Sequence, residues 1–188
     1  MGITMSRSIE ENVRLLVKSV ASRFMDEQLK LATAESCTGG WIAQTITNLP
    51  GSSQWFDAGF VTYSNHAKQH MLDVPAILFV EGGPGAVSEE AVKAMTEGAL
   101  VHSLADVAVA TSGIAGPDGG TDEKPVGTVW LAWQRRHGQR LTRLCHFEGD
   151  RYDVRVATVE AALQGLLSLL DNTQPPTKSK SSAKAKEK

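Results

Sequence analysis

A serine, a tyrosine and a lysine stand out as groups that can carry hydrolytic chemistry: Ser36, Tyr63 and Lys68. Ser36 lies between a short apolar run, Leu31 to Glu35, and the turn Cys37-Thr38-Gly39-Gly40, after which Trp41, Ile42, Thr45 and Ile46 recur at helical spacing. A hydroxyl at a strand end projects clear of the backbone, and the amides that open the next helix point the same way. The amides from Thr38 to Trp41 can then form an oxyanion hole or a phosphate cradle; the plainer alternative is that Ser36 or Thr38 only caps the helix. Lys68 follows two candidate caps, Ser64 and Asn65, and falls in a first helical turn, where a cation opposes the positive end of the helix dipole. That field lowers a lysine's pKa, and a lysine able to shed its proton is the base a Ser/Lys hydrolase needs. A solvated surface lysine tolerating the cost is the alternative. Tyr63, at the end of the preceding strand, can align a proton path beside the pair, or be a strand aromatic with a hydroxyl in water.

Cys37 is the rival nucleophile, since a thiol beside a helix N-terminus also has a lowered pKa, although no histidine is placed by sequence to serve it. His66 and His70 have the four-residue spacing of metal ligands on one helix face, but no third ligand accompanies them, so no metal is expected. The run Ser112 to Gly120 is a long glycine loop expected to be neither helix nor strand. It lacks the following helix and downstream acid of a dinucleotide fingerprint, and nothing matches a P-loop, so Rossmann and P-loop readings are rejected.

The elements that must position these groups can be read from periodicity. Ser8-Ile9-Glu10-Glu11 has the form of a capping box, and apolar residues at helical spacing carry a first helix to about Asp26. Strand, turn and helix follow around Ser36, and the same order returns with a strand at Gly59 to Tyr63 and a helix from His66 to about Leu72. Ser88 caps a helix with Val92, Met95, Ala99 and Leu104 on its inner side. Val107 to Thr111 reads as a buried strand, and Gly127 to Gln134 with Arg140 to Phe147 as a β-hairpin about Arg136-His137-Gly138. Asp150 caps a last amphipathic helix that reaches Leu170. Strands alternating with helices, together with a hairpin, predict a three-layer α/β/α sandwich on a mixed β-sheet.

A chain of 188 residues, 41% hydrophobic, has material for one substantial core and not comfortably for two. The expected organisation is a single domain over residues 1–171 and a disordered Lys/Ser/Ala-rich tail over residues 172–188. No apolar run is long enough to span a bilayer and no signal-peptide segment opens the chain, so a cytoplasmic protein without membrane contact is expected. Cys37 and Cys145 are far apart and are read as reduced thiols. The formal charge is −2, and since the tail holds five Lys and one Glu the remainder carries −6, a poor general binder of nucleic acid. Any anionic substrate must be held by local cations, helix ends or loop amides.

Five segments together resemble the CinA C-terminal domain family, also called PncC: AESCTGGWIAQ (34–44), FVTYSNHAK (60–68), GAVSEE (85–90), SGIAGPDGG (112–120) and EKPVGTVW (123–130). The similarity runs from about Val13 to Leu170, without the N-terminal molybdopterin-type domain of full-length CinA proteins, which implies a stand-alone enzyme. The resemblance implies hydrolysis of nicotinamide mononucleotide to nicotinic acid mononucleotide and ammonia with no metal or organic cofactor, and a homo-oligomer, dimer or higher. A non-catalytic module that senses pyridine nucleotides is the alternative. The family's serine, tyrosine and lysine fall on Ser36, Tyr63 and Lys68. Thr38, Gly39 and Gly40 would stand near the oxyanion, Ser112, Gly113 and Gly116 would wall the nucleotide pocket, and Arg151, in the Gly149-Asp150-Arg151 segment, would take the phosphate. One departure is visible: Glu81-Gly82-Gly83-Pro84-Gly85 replaces the family's His-Gly before the Ala-Val-Ser run.

Overall fold

The computed structural model describes residues 2–171, with side-chain detail from residue 11 onward. The tail expected from residue 172 onward lies outside the described residues. Helix α1 (Gly2–Asp26) opens the chain, starting at Gly2 rather than at the cap expected at Ser8. No proline or glycine interrupts residues 3–8, so nothing there stops the helix from extending. Strand β1 (Leu31–Glu35), helix α2 (Trp41–Thr47), strand β2 (Phe56–Val61), helix α3 (Asn65–Leu72), helix α4 (Glu89–Val101) and strand β3 (Val107–Gly113) follow. Strands β4 (Thr128–Arg135) and β5 (Arg140–His146) form the hairpin, and helix α5 (Arg151–Asp171) closes the fold.

One five-stranded sheet runs β2-β1-β3-β4-β5, with β1 parallel to both β2 and β3 and the last two pairings antiparallel. Side chains on a strand alternate between faces, and this sheet buries both. Val107, Val109, Leu131 and Trp133 pack with α1, α2 and α5 on one face. Ala108, Ala110, Ala132, Ala32 and Ala34 lie in the other core with Leu72, Val92, Met95 and Ala99 of α3 and α4. The result is a three-layer α/β/α sandwich on a mixed sheet. Among the described residues no helix is long and apolar enough to cross a membrane.

Three local expectations change. Leu104 falls beyond the end of α4 and is 79% exposed, because the helix closes at His102. The second strand begins at Phe56 and ends at Val61, so Tyr63 stands past its end. Ser112 and Gly113, read as loop, complete β3 and pair with Trp130 and Val129. A Cβ on Gly113 would meet Val129 at 2.6 Å, so glycine here lets β4 approach closely rather than break the strand.

Candidate active site

The site grows from the topology. From β1 the chain goes to β2 on one side of β1, then crosses to β3 on the other, which makes the carboxyl end of β1 a switch point where open α/β sheets leave a crevice. Ser36 is the first residue beyond β1 and is stitched between the neighbours: its amide donates to the Thr111 carbonyl at 3.0 Å, and the Thr62 amide donates to the Glu35 carbonyl at 2.8 Å. Serine hydroxyl, β2 end and β3 end are thereby fixed against one another.

Ser64 caps α3 by accepting from the Ala67 amide at 3.0 Å, and Lys68 completes the first turn. Its side chain is buried, 1% exposed, and Nζ lies 2.8 Å from Ser36 Oγ. Nζ also donates to the Thr62 carbonyl at 2.8 Å and to the Tyr63 carbonyl at 3.4 Å. A neutral amine has two hydrogens and one lone pair. The two carbonyls take the hydrogens, and the lone pair is left facing the serine hydroxyl. The Lys68 pKa is pushed down to about 8, chiefly by burial. Loss of hydration, rather than the helix field expected from sequence, is thus the leading cause. Cys37 is also buried, and burial pushes its thiol up to about 11 against the smaller downward pulls of its own amide and Thr111. A thiol so rarely ionised is a poor rival to Ser36.

Behind the serine, Glu35 is fully buried and its carboxyl accepts from Thr38 Oγ1 at 2.7 Å, the Ile42 amide at 3.0 Å and the Ala43 amide at 2.8 Å. It neutralises the start of α2 and ties it to β1. Thr38 Oγ1, also 3.0 Å from Thr111 Oγ1, is therefore held inside the protein and does not reach substrate. Replacing Glu35 by alanine takes the acceptor from the buried Ile42 amide and the part-buried Ala43 amide, and leaves the Thr38 hydroxyl with Thr111 alone. An amide left without its acceptor costs about 1–3 kcal/mol, so Glu35→Ala should lower the unfolding free energy by at least about 2 kcal/mol in a urea titration.

The turn itself uses part of the expected amide set. Gly39 N–H donates to the Ser36 carbonyl at 3.0 Å and Trp41 N–H to the Thr38 carbonyl at 3.3 Å. Gly39 and Gly40 adopt φ of +63° and +91°, which suits glycine in so tight a turn. Among the described residues no oxygen accepts from the Cys37 amide, which leaves it as the candidate oxyanion donor.

A cleft of about 180 Å³ opens on Ser36 and Lys68, walled by Cys37, Tyr63, Ala86 and Val87, with Ser112, Gly113, Ala115 and Arg151 opposite. Ala115 and Arg151 are shared with an adjoining cleft of about 520 Å³ that includes Gly116, Val126, Tyr152 and Arg155. Ser112 Oγ donates to the Ala86 carbonyl at 2.7 Å, and Lys124 Nζ to the Pro84 carbonyl at 2.7 Å. These bonds hold the chain where Ala86 and Val87 wall the cleft, just after the 81–85 loop. Arg151 donates to the Gly116 carbonyl at 2.8 Å and to the Tyr63 hydroxyl at 3.1 Å. Tyr63 is 62% exposed, so its phenol sits at the rim with Arg151 while its carbonyl meets Lys68. Ser36, Lys68, Tyr63, Ser112, Gly113, Gly116 and Arg151 are brought together, whereas Thr38, Gly39 and Gly40 serve the turn and line neither cleft.

His66 and His70 stack at 5.8 Å and are both exposed; among the described residues no three His, Cys, Asp or Glu side chains gather as metal ligands. Glu35 and Arg155 escaped the sequence reading. An acid ending the apolar run Leu31 to Ala34 was a signal for Glu35, and a cation one turn past Arg151 at a helix start was one for Arg155.

The chain is similar in sequence and fold to known proteins. The family model described as CinA C-terminal domain matches residues 14–170. A protein of Pseudomonas putida named nicotinamide-nucleotide amidohydrolase PncC is 58% identical over 141 residues, 74% of this chain and 86% of that protein. A CinA-like protein of Akkermansia muciniphila is 55% identical over 81% of this chain, which spans 36% of that longer protein. The crystal structure of a competence/damage inducible protein from Agrobacterium tumefaciens superposes with a TM-score of 0.81 at 43% identity, covering 84% of this chain and 95% of that one.

Proposed function

The chain belongs to the CinA C-terminal domain family, and from that premise we propose that it is a nicotinamide-nucleotide amidohydrolase, releasing ammonia from nicotinamide mononucleotide to leave nicotinic acid mononucleotide. The observation that carries this reading is the 2.8 Å contact between a buried lysine amine and a strand-end serine hydroxyl at the base of a cleft. The small cleft takes the nicotinamide ring, and the adjoining one takes the ribose phosphate.

Lys68 in its neutral form removes the Ser36 proton as Oγ attacks the carboxamide carbon, and the Cys37 amide receives the oxyanion. Collapse of the adduct breaks the C–N bond, and Lys68 returns the proton to the leaving ammonia. Water attacks the resulting ester, giving up a proton to Lys68, which hands it back to Ser36 as the acid departs. Tyr63 supports the base through its carbonyl, which takes one Lys68 hydrogen. No metal or organic cofactor enters these steps.

Arg151 is the phosphate ligand in this reading, since a guanidinium matches phosphate bidentately and the folded part of the chain is otherwise acidic. Arg151→Ala should raise KM for the mononucleotide at least about tenfold while changing KM for nicotinamide riboside less than about twofold, read by coupled ammonia assay. We place the reaction in the cytoplasm, a reading supported by Cys37 and Cys145 both being free. A homo-oligomer is the expected assembly, supported by Val101 at the end of α4 and Leu104 just beyond it, which are 65% and 79% exposed; light scattering on the purified chain tests it. Purified protein incubated with nicotinamide mononucleotide should release one ammonia per acid formed. Binding without ammonia release would favour a sensing module instead.

A further inference from the structure

Arg155 donates through Nη2 to the Thr38 carbonyl at 2.7 Å and through Nε to the Cys37 carbonyl at 3.1 Å, with its guanidinium 5.0 Å from the centre of the Trp41 ring. Among the described residues no carboxylate pairs with it. It stands one turn into α5. A half-buried charge without a counter-ion needs a purpose beyond packing.

The geometry points to Arg155 as a positioning residue for the oxyanion hole: its guanidinium, through the turn it holds, orients and polarises the Cys37 amide that receives the developing charge. This rests on the amidohydrolase reading above. One hydrogen-bonded path carries the effect. Arg155 holds the Thr38 carbonyl, the same peptide's Gly39 N–H donates to the Ser36 carbonyl at 3.0 Å, and that peptide ends in the Cys37 N–H. Chains of hydrogen-bonded peptides polarise one another, and a cation at the head of this one adds its full charge. The hole thereby has a positive source behind it that never touches substrate.

Two variants, Arg155→Met and Arg155→Lys, test this against the rival role of phosphate contact, because Arg155 also borders the larger cleft. Removing one oxyanion donor typically costs about 100- to 1,000-fold in kcat. Weakening one donor without removing it should lower kcat by about tenfold for Arg155→Met. The loss should be equal on nicotinamide mononucleotide and on nicotinamide riboside, with KM within about threefold of the parent. Arg155→Lys, which keeps the charge but lacks the planar fork, should recover part of that loss. Pyridine-3-boronic acid, whose adduct with Ser36 places an oxygen anion in the hole, should bind Arg155→Met more weakly by a factor close to the kcat loss. Nicotinic acid should bind as before. A rise in KM confined to the mononucleotide, or equal weakening of both inhibitors, would overturn the proposal. If Arg155→Met does not fold, the same comparisons are made on Arg155→Lys. Failure of the parent protein to release ammonia from either substrate would overturn the amidohydrolase reading itself, a result distinct from any change between variants.

Discussion

Lys68→Met is expected to lower kcat at least about 1,000-fold with KM little changed. Methionine matches the length of the lysine stem and suits a buried position, so the fold should persist. What disappears is the lone pair 2.8 Å from Ser36 Oγ. The Thr62 and Tyr63 carbonyls lose their donor, which costs about 1–3 kcal/mol for each buried acceptor, but the buried amine that was unfavourable to desolvate goes with it. Lys68→Arg separates base from charge. A guanidinium stays protonated at any working pH, so if Lys68 acts as a base the arginine variant is as inactive as the methionine one. Retention of a tenth or more of parental kcat by Lys68→Arg would instead assign the residue a purely electrostatic role.

Ser36→Ala should be more damaging still, with a fall of at least about 10,000-fold in kcat, while the dissociation constant for the mononucleotide stays within about threefold. The hydroxyl makes no bond that the fold needs: the strand end is held by the Ser36 amide, which alanine keeps. Cys37→Ala is the control. The thiol is buried and held protonated, with its pKa near 11, so its loss should leave kcat within about fivefold. Collapse of activity in Cys37→Ala with survival in Ser36→Ala would reverse the assignment.

Much of this arrangement was legible in the sequence because it rests on local grammar. A polar turn after an apolar run places Ser36 at a strand end, and caps at Ser64 and Ser88 fix where α3 and α4 begin. Even the position of Lys68 in the first turn followed from the Ser64 cap. The reason for its lowered pKa did not, because burial is set by what packs from elsewhere in the chain. The role of Thr38 failed for the same cause: its partners are Glu35, three residues away, and Thr111, reached only through strand pairing. Ser112 and Gly113 looked like loop because glycine is rare inside strands, yet tertiary contact with Val129 demands it. Arg155 stayed hidden since its bonds to the Cys37 and Thr38 carbonyls join segments more than a hundred residues apart.

Whether Lys68 works as a neutral amine is decided most directly by the pH dependence of kcat/KM between pH 6.5 and 10, a range in which the substrate phosphate, with a second pKa of about 6, is already fully charged at most points. The neutral base is the active form, and its pKa is lowered from 10.5 to about 8 in the folded protein. Activity should rise about tenfold per pH unit below that value and level off above it. The inflection should vanish from whatever rate remains in Lys68→Arg. A profile that stays flat across this range, or one that falls as the pH passes 8, would contradict the account.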